Sequence, residues 1–197
     1  TEFVLPSQSV AFYWELPAFM ILGIICGLVG VVMMRTIFVA EEIGNRIQAW
    51  IRLPDFLRPA LSGALLGLLA IQFPHIIGVG YETSLAALTA QLTFTTAVIF
   101  AAVKVAAVAI TFAGRMGGGV FSPAIMVGAL TGAAFGNAAT ALFPVVSGVE
   151  TIYALAGMGA VAGAVLGAPI SSTLIVFELT GDFQAAIAVM TAVSMAS

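Results

Sequence analysis

Charge is what this sequence most lacks. Only 8% of its 197 residues are charged, six basic and nine acidic, whereas a soluble domain carries about 25%. Too few ionic groups are present to clothe a water-facing surface. With a net charge of −3 and no clustered basic run, nucleic-acid binding is excluded as a function, because phosphate capture needs such a patch. Histidine and cysteine are as scarce, at one each. His75 has no second histidine with which to build a zinc or haem site, so neither a metal nor any other cofactor is expected. Cys26 cannot close an intramolecular disulfide, and its apolar setting marks it as a packing residue. No GK[ST] follows any glycine run, which removes a phosphate loop. Enzyme readings fail for want of partners. Ser122 precedes a proline with only His75 as a possible base, and Asp182 has no second intramembrane acid with which to form a protease pair.

What remains is apolar. Hydrophobic residues make up 61% of the chain and the mean hydropathy is +1.17, values that describe a multi-pass integral membrane protein with lipid as its principal neighbour; a plasma or inner membrane is the expected location. Hydropathy divides the chain into segments of unequal length: Leu16 to Ala40, Pro59 to Phe73, Phe94 to Phe112, Ala124 to Leu142, Ile152 to Leu166, Pro169 to Glu178 and Phe183 to Ser197. A straight crossing needs about 20 residues. The run from Pro169 to Glu178 covers only about 15 Å at ~1.5 Å per residue, so short, tilted and broken helices are expected. Paired broken segments point to a transporter whose site lies near the bilayer midplane. No segment reads as a removable signal peptide. Beginning at Thr1 and stopping in an apolar run at Ser197, residues 1–197 are expected to be a partial transmembrane domain with no separate soluble part.

The connection "EEIGNRIQAWIRLPDFLRP" holds Arg46, Arg52 and Arg58, half of the basic residues, and is expected to be a cytoplasmic loop by the positive-inside rule. The other long connection is "HIIGVGYETS". Glycines recur four apart at Gly23 and Gly27, Gly63 and Gly67, Gly128, Gly132 and Gly136, and Gly163 and Gly167. Such spacing predicts close helix contacts. Glu178 and Asp182, in "ELTGDF", read as a helix stop and the cap of the next helix rather than as a membrane-embedded functional pair.

One stretch breaks this pattern. "GRMGGGVFSP", residues 114 to 123, places four glycines, an arginine and a proline between two apolar runs. Glycine frees the backbone from helical geometry, and inside a bilayer unpaired peptide groups persist only where they line a cavity or are buried in protein. A helix is expected to begin near Phe121 to Pro123, with proline favoured in its first turn. Its unpaired N–H groups and the positive end of its dipole then form an anion site. Partial charges suit an ion that must be both held and released, whereas a deep full charge would trap it. Total charge does not oppose this, since a buried anion site depends on local donors. Lys104 lies ten residues before Gly114, about 15 Å along a helix. It either draws anions into a vestibule or snorkels to the headgroups. The competing reading of the stretch is an ordinary surface turn, in a structural membrane subunit that transports nothing.

"GGGVFSPAIMVGALTGAAFG" resembles the CLC chloride channel and transporter family, whose GxFxP motif opens a helix at the central anion site. Here that motif is Gly119, Val120, Phe121, Ser122 and Pro123. Lys104 stands at the family's usual basic position seventeen residues before the phenylalanine, and "YALAGMGAVAGAVLGAPISSTLIVFELTGD" resembles the helices that follow. The resemblance covers nearly the whole chain. It implies an all-α membrane domain of two inverted halves, of which this is the second, a homodimer with one pathway per subunit, and chloride as the transported ligand. The first half of the domain would be a required partner. The amides of Val120 and Phe121 would contact the ion, with Gly118 and Gly119 allowing its approach and Pro123 fixing the helix start. The family's GSGIP loop and its gating GREGP loop have no match, and "GRMGG" at 114 to 118 carries methionine where the gating carboxylate belongs. It reads as the second half's counterpart of that loop. Neither the internal proton-transfer glutamate nor the late ion-approaching tyrosine has a matching position, so the resemblance implies either a channel or a proton-coupled exchanger.

Overall fold

The computed structural model describes the backbone of residues 16–52, 54–78, 80–142, 150–180 and 183–197, and among these the secondary structure is entirely helical. Eight α-helices follow in order: α1 Leu16–Ile51, α2 Leu57–Gln72, α3 Tyr81–Leu88, α4 Phe94–Ala113, α5 Phe121–Leu142, α6 Glu150–Leu166, α7 Pro169–Thr180 and α8 Phe183–Ala196. A 3-10 turn, Pro74–Ile76, separates α2 from α3. By length and composition α1, α4 and α5 can each cross a membrane, and α2, α6, α7 and α8 are shorter apolar helices. Every apolar segment expected from hydropathy is a helix.

Two expectations need correcting. The residues from Glu41 to Ile51, expected in a loop, extend α1 to 36 residues, about 54 Å at ~1.5 Å per residue. Polarity suggested the loop, but Ile43, Ile47 and Ile51 continue the helical period, and Arg46 pairs with Glu42 one turn back, a spacing that supports helix. The "HIIGVGYETS" connection contains the start of α3. Gly80 opens it in the left-handed region, at φ +84, and Thr83 and Ser84 are buried beneath it. Eight residues with few large apolar side chains are too short for periodicity to register.

The core forms around α6, which is buried from Thr151 through Ala162 and packs on α5, α8, α1 and α7. Small residues permit this. A Cβ added to Gly132 would fall 2.1 Å from the Tyr153 carbonyl oxygen, and one on Gly128 would fall 2.4 Å from that of Gly157. The α5 and α6 backbones therefore touch directly, as glycines four apart allow. Gly23 and Gly27 do the same for α1 against Ala192 and Ala196 of α8. Gly163 meets a Val193 methyl at 3.0 Å, while Gly167 ends α6 at φ +63 with open space around it. The expectation fails for Gly63 and Gly67, which have nothing within 4 Å of an added Cβ. Gly67 instead borders an open space between α2 and α4. Tyr153 anchors the centre between Phe19 and Phe135, at ring distances of 5.0 and 5.6 Å. Cys26 is buried, as its sequence context suggested.

Candidate anion site

The site is built where α4 stops and α5 starts. Gly114 holds helical angles, Arg115 turns left-handed at φ +54, and two hydrogen bonds close the end. The Arg115 N–H donates to the Phe112 carbonyl at 2.9 Å and the Met116 N–H to that of Thr111 at 3.1 Å. This is the Schellman pattern, with arginine at the position that glycine usually fills. A left-handed non-glycine residue costs about 1–2 kcal/mol. Arg115 offsets part of that by donating through Nη2 to Asn45 Oδ1 at 3.0 Å.

Beyond Met116 the hydrogen bonding lapses. Among the described residues, the N–H groups of Gly117, Gly118, Gly119, Val120 and Phe121 have no recorded partner. Pairing resumes when the Ala124 N–H donates to the Val120 carbonyl at 3.0 Å. Val120 is thus the N-cap of α5, and Phe121, Ser122 and Pro123 form its first turn, as expected from the sequence. The helix dipole places about half a positive charge at this end. Val120 packs on the core, and Phe121, Ser122 and Pro123 are half-buried.

Gly118, Gly119 and Pro123 line an open cavity of about 390 Å³. Its far wall is the α4 stripe of Lys104, Ala107, Val108, Thr111 and Phe112, and Leu66, Gly67 and Ala70 of α2 with Ile77 and Gly78 complete it. Among the described residues no acidic side chain lines this space. The lining therefore offers one cation and a helix N-terminus to whatever enters. An added Cβ at Gly117 or Gly119 would meet nothing within 4 Å, and at Gly118 only a Thr111 methyl at 3.9 Å. No described residue packs tightly enough to require glycine at these three positions.

Lys104 does not snorkel outward. It is only 5% exposed and lines the same cavity as Gly118 and Gly119, with Nζ donating to the Gly78 carbonyl at 3.0 Å. The residues 104, 107, 108, 111 and 112 share one helix face, so the lysine and the loop stand at two levels of one wall. The turn that receives Lys104 was not foreseen as part of the site. Its sequence signal is the glycine pair of "GVG": Gly78 at φ +76 and Gly80 at φ +84 give two left-handed corners. Gly80 presses on Met126 of α5, where a Cβ would lie 2.3 Å from the sulfur.

The remaining polar candidates stand apart. Glu178 is exposed on α7, which continues past it to Thr180, and Asp182 lies outside the described residues. The His75 ring lies tilted against that of Phe100, with centroids 5.2 Å apart. No group of three potential metal ligands occurs among the described residues.

A cavity walled by glycines at a helix N-terminus, in a chain built of short and broken apolar helices, invites comparison with known membrane proteins. The family model for the voltage-gated chloride channels matches residues 2–197. The chain belongs to the CLC family. A chloride channel protein, CLC-f, of Arabidopsis thaliana is 32% identical over the full chain, which spans 26% of that protein. An H+/Cl− exchange transporter, ClcA, of Vibrio parahaemolyticus is 30% identical over 84% of the chain, spanning 35% of its own length. The crystal structure of a slow cyanobacterial Cl−/H+ antiporter superposes with a TM-score of 0.85 and 25% identity, over 98% of this chain and 45% of the antiporter. The protein is therefore an all-helical, multi-pass integral membrane member of the CLC family, and the chain spans less than half of each of these relatives.

Proposed function

We propose that the chain is the second of the two inverted halves of a CLC transport domain, and that it helps move chloride across a membrane by binding the ion at the N-terminus of α5. The backbone amides of Val120 and Phe121 hold the ion, Gly118 and Gly119 let it approach, and Lys104 sets a positive potential in the vestibule above. The observation that carries this reading is the coincidence of two facts at one place. Among the described residues five successive N–H groups have no partner, and Gly118 and Gly119 among them line an open cavity. Peptide dipoles without a full opposing charge replace an ion's hydration while still permitting its release, and an acid-free lining avoids repelling it.

The transport unit is a homodimer in which the first half of each membrane domain completes the pathway. The ligand is chloride itself, and no chemical step is catalysed. The test is chloride efflux from liposomes containing the full-length protein. Gly119→Val, which fills the cavity, and Val120→Pro, which deletes one amide, are each expected to cut flux by at least about tenfold, the scale of losing one preorganised donor. Flux equal to the parent's in both variants contradicts the assignment. Imposing a pH gradient then distinguishes proton-coupled exchange from channel conduction.

A further inference from the structure

A polar cluster stands at the C-terminal end of α4, at the root of the loop that forms the site just described, and none of its side chains lines the cavity. Arg58, in the first turn of α2, is 5% exposed and its guanidinium is spent on four groups. Nε donates to the Ala113 carbonyl at 2.6 Å, Nη1 to Asn45 Oδ1 and to Gln48 Oε1 at 2.7 Å each, and Nη2 to the Glu41 carbonyl at 3.4 Å. Ala113 is the last residue of α4. The Schellman bonds satisfy the carbonyls of Thr111 and Phe112 and leave that of Ala113 to Arg58. Asn45 links the cluster to the loop by also accepting from Arg115.

The surroundings are tight on both sides. A Cβ at Gly44 of α1 would fall 2.6 Å from the Ala113 oxygen and 2.7 Å from Arg58 Nη2, and one at Gly114 would fall 2.4 Å from Ser62 Cβ of α2. Gly114 is thus wedged against α2 while Ala113 is bonded to it and pressed against α1. The free glycines begin three residues later.

We infer that Arg58 is a positioning residue for the anion site: it fixes the root of the 114–120 loop, and through that root the placement of the Val120 and Phe121 amides. This rests on the anion-site reading above. A loop of glycines has little stiffness of its own, so the register of its amides is set where it is anchored, at Arg58 and Ser62 on one side and at the start of α5 on the other. Misplacing binding groups by about 1 Å can cost as much as 10²-fold.

The test reads chloride dependence of flux in the reconstituted full-length protein. Arg58→Gln is expected to raise the half-saturating chloride concentration by about tenfold while leaving the maximal rate within about twofold, a loss of binding without a loss of turnover. Arg58→Lys, which keeps one donor for the Ala113 carbonyl, should recover most of the shift. If Arg58→Gln does not yield folded protein, Gly114→Ala probes the same root from the other side: it should raise half-saturation, and adding Ser62→Gly should reverse the increase by making room for the new methyl. Unchanged half-saturation in Arg58→Gln, or an increase in Gly114→Ala that Ser62→Gly does not relieve, overturns the inference. Gly119→Val serves as the reference. If it shifts half-saturation and the root variants do not, only the positioning role fails. If none shifts it, the anion site itself fails.

Discussion

Two sets of glycines in this protein do opposite things. Gly128, Gly132 and Gly157 lie in helices and leave no room at all: a methyl on any of them would sit 2.1 to 2.4 Å from a carbonyl oxygen of the facing helix. Gly117, Gly118 and Gly119 lie outside any helix, and a methyl on them would meet open cavity or ordinary contact. In the first set the glycine is explained by its neighbour within the chain. In the second no described residue explains it, and the cavity beside Gly118 and Gly119 leaves the backbone open to an ion. Emptiness alone does not mark a site, since Gly63 is as empty; what sets the second group apart is its place at the head of α5.

Substitution should separate the sets sharply. Gly132→Ala is expected to have the largest effect, destabilising the membrane domain by about 3 kcal/mol, the upper end of the usual overpacking cost, because the carbonyl it strikes belongs to the buried α6 backbone and cannot rotate away. Loss of the monodisperse peak in detergent, or a large fall in apparent Tm, checks it. Gly119→Ala should leave Tm nearly unchanged, within the roughly 0.5 kcal/mol typical of open sites, yet reduce chloride flux by several-fold as the added methyl enters the ion's space. A Gly119→Ala protein that transports normally would place the second set with ordinary loop glycines.

Lys104→Met should act less strongly. It removes the cation from the cavity wall and the bond to Gly78, and is expected to raise half-saturating chloride by a few-fold at low ionic strength, with the difference shrinking as inert salt is added, since the Debye length falls to about 8 Å near 0.15 M. A salt-independent change would assign Lys104 to holding the 77–80 turn alone. The smallest effect belongs to Gly63. It sits inside α2 with nothing near it, so Gly63→Ala should stabilise the protein by about 0.5–1 kcal/mol through helix propensity. Destabilisation instead would reveal that another segment packs on that face of α2.

Much of this was legible in the sequence, because membrane helices announce themselves by apolar length. The α4 and α5 boundaries follow from "GRMGGGVFSP" almost to the residue. The extension of α1 through Glu41–Ile51 did not, because charge was read as loop when Ile43 and Ile47 kept the helical period. The glycine spacing predicted close contacts for Gly128 and Gly132, which meet α6, and equally for Gly63 and Gly67, for which no described residue stands within 4 Å. A GxxxG pattern marks a flat face and not what covers it. At the site, the loop and Lys104 were visible, but their common cavity was not. Distance along α4 suggested separation, while the helical period puts residues 104, 108 and 111 on one wall. Arg58 registered only as a positive charge in a connection. Its bond to the Ala113 carbonyl spans 55 positions in the chain, and nothing local in the sequence signals that contact.

The central claim is that backbone N–H groups at the head of α5 hold a halide. Anomalous diffraction from crystals of the full-length protein grown with bromide tests it directly. The account predicts a bromide peak in the cavity beside Gly118 and Gly119, within hydrogen-bonding distance of the Val120 and Phe121 nitrogens. A cavity without halide at saturating bromide, or one filled by side chains of the other half of the domain, contradicts it.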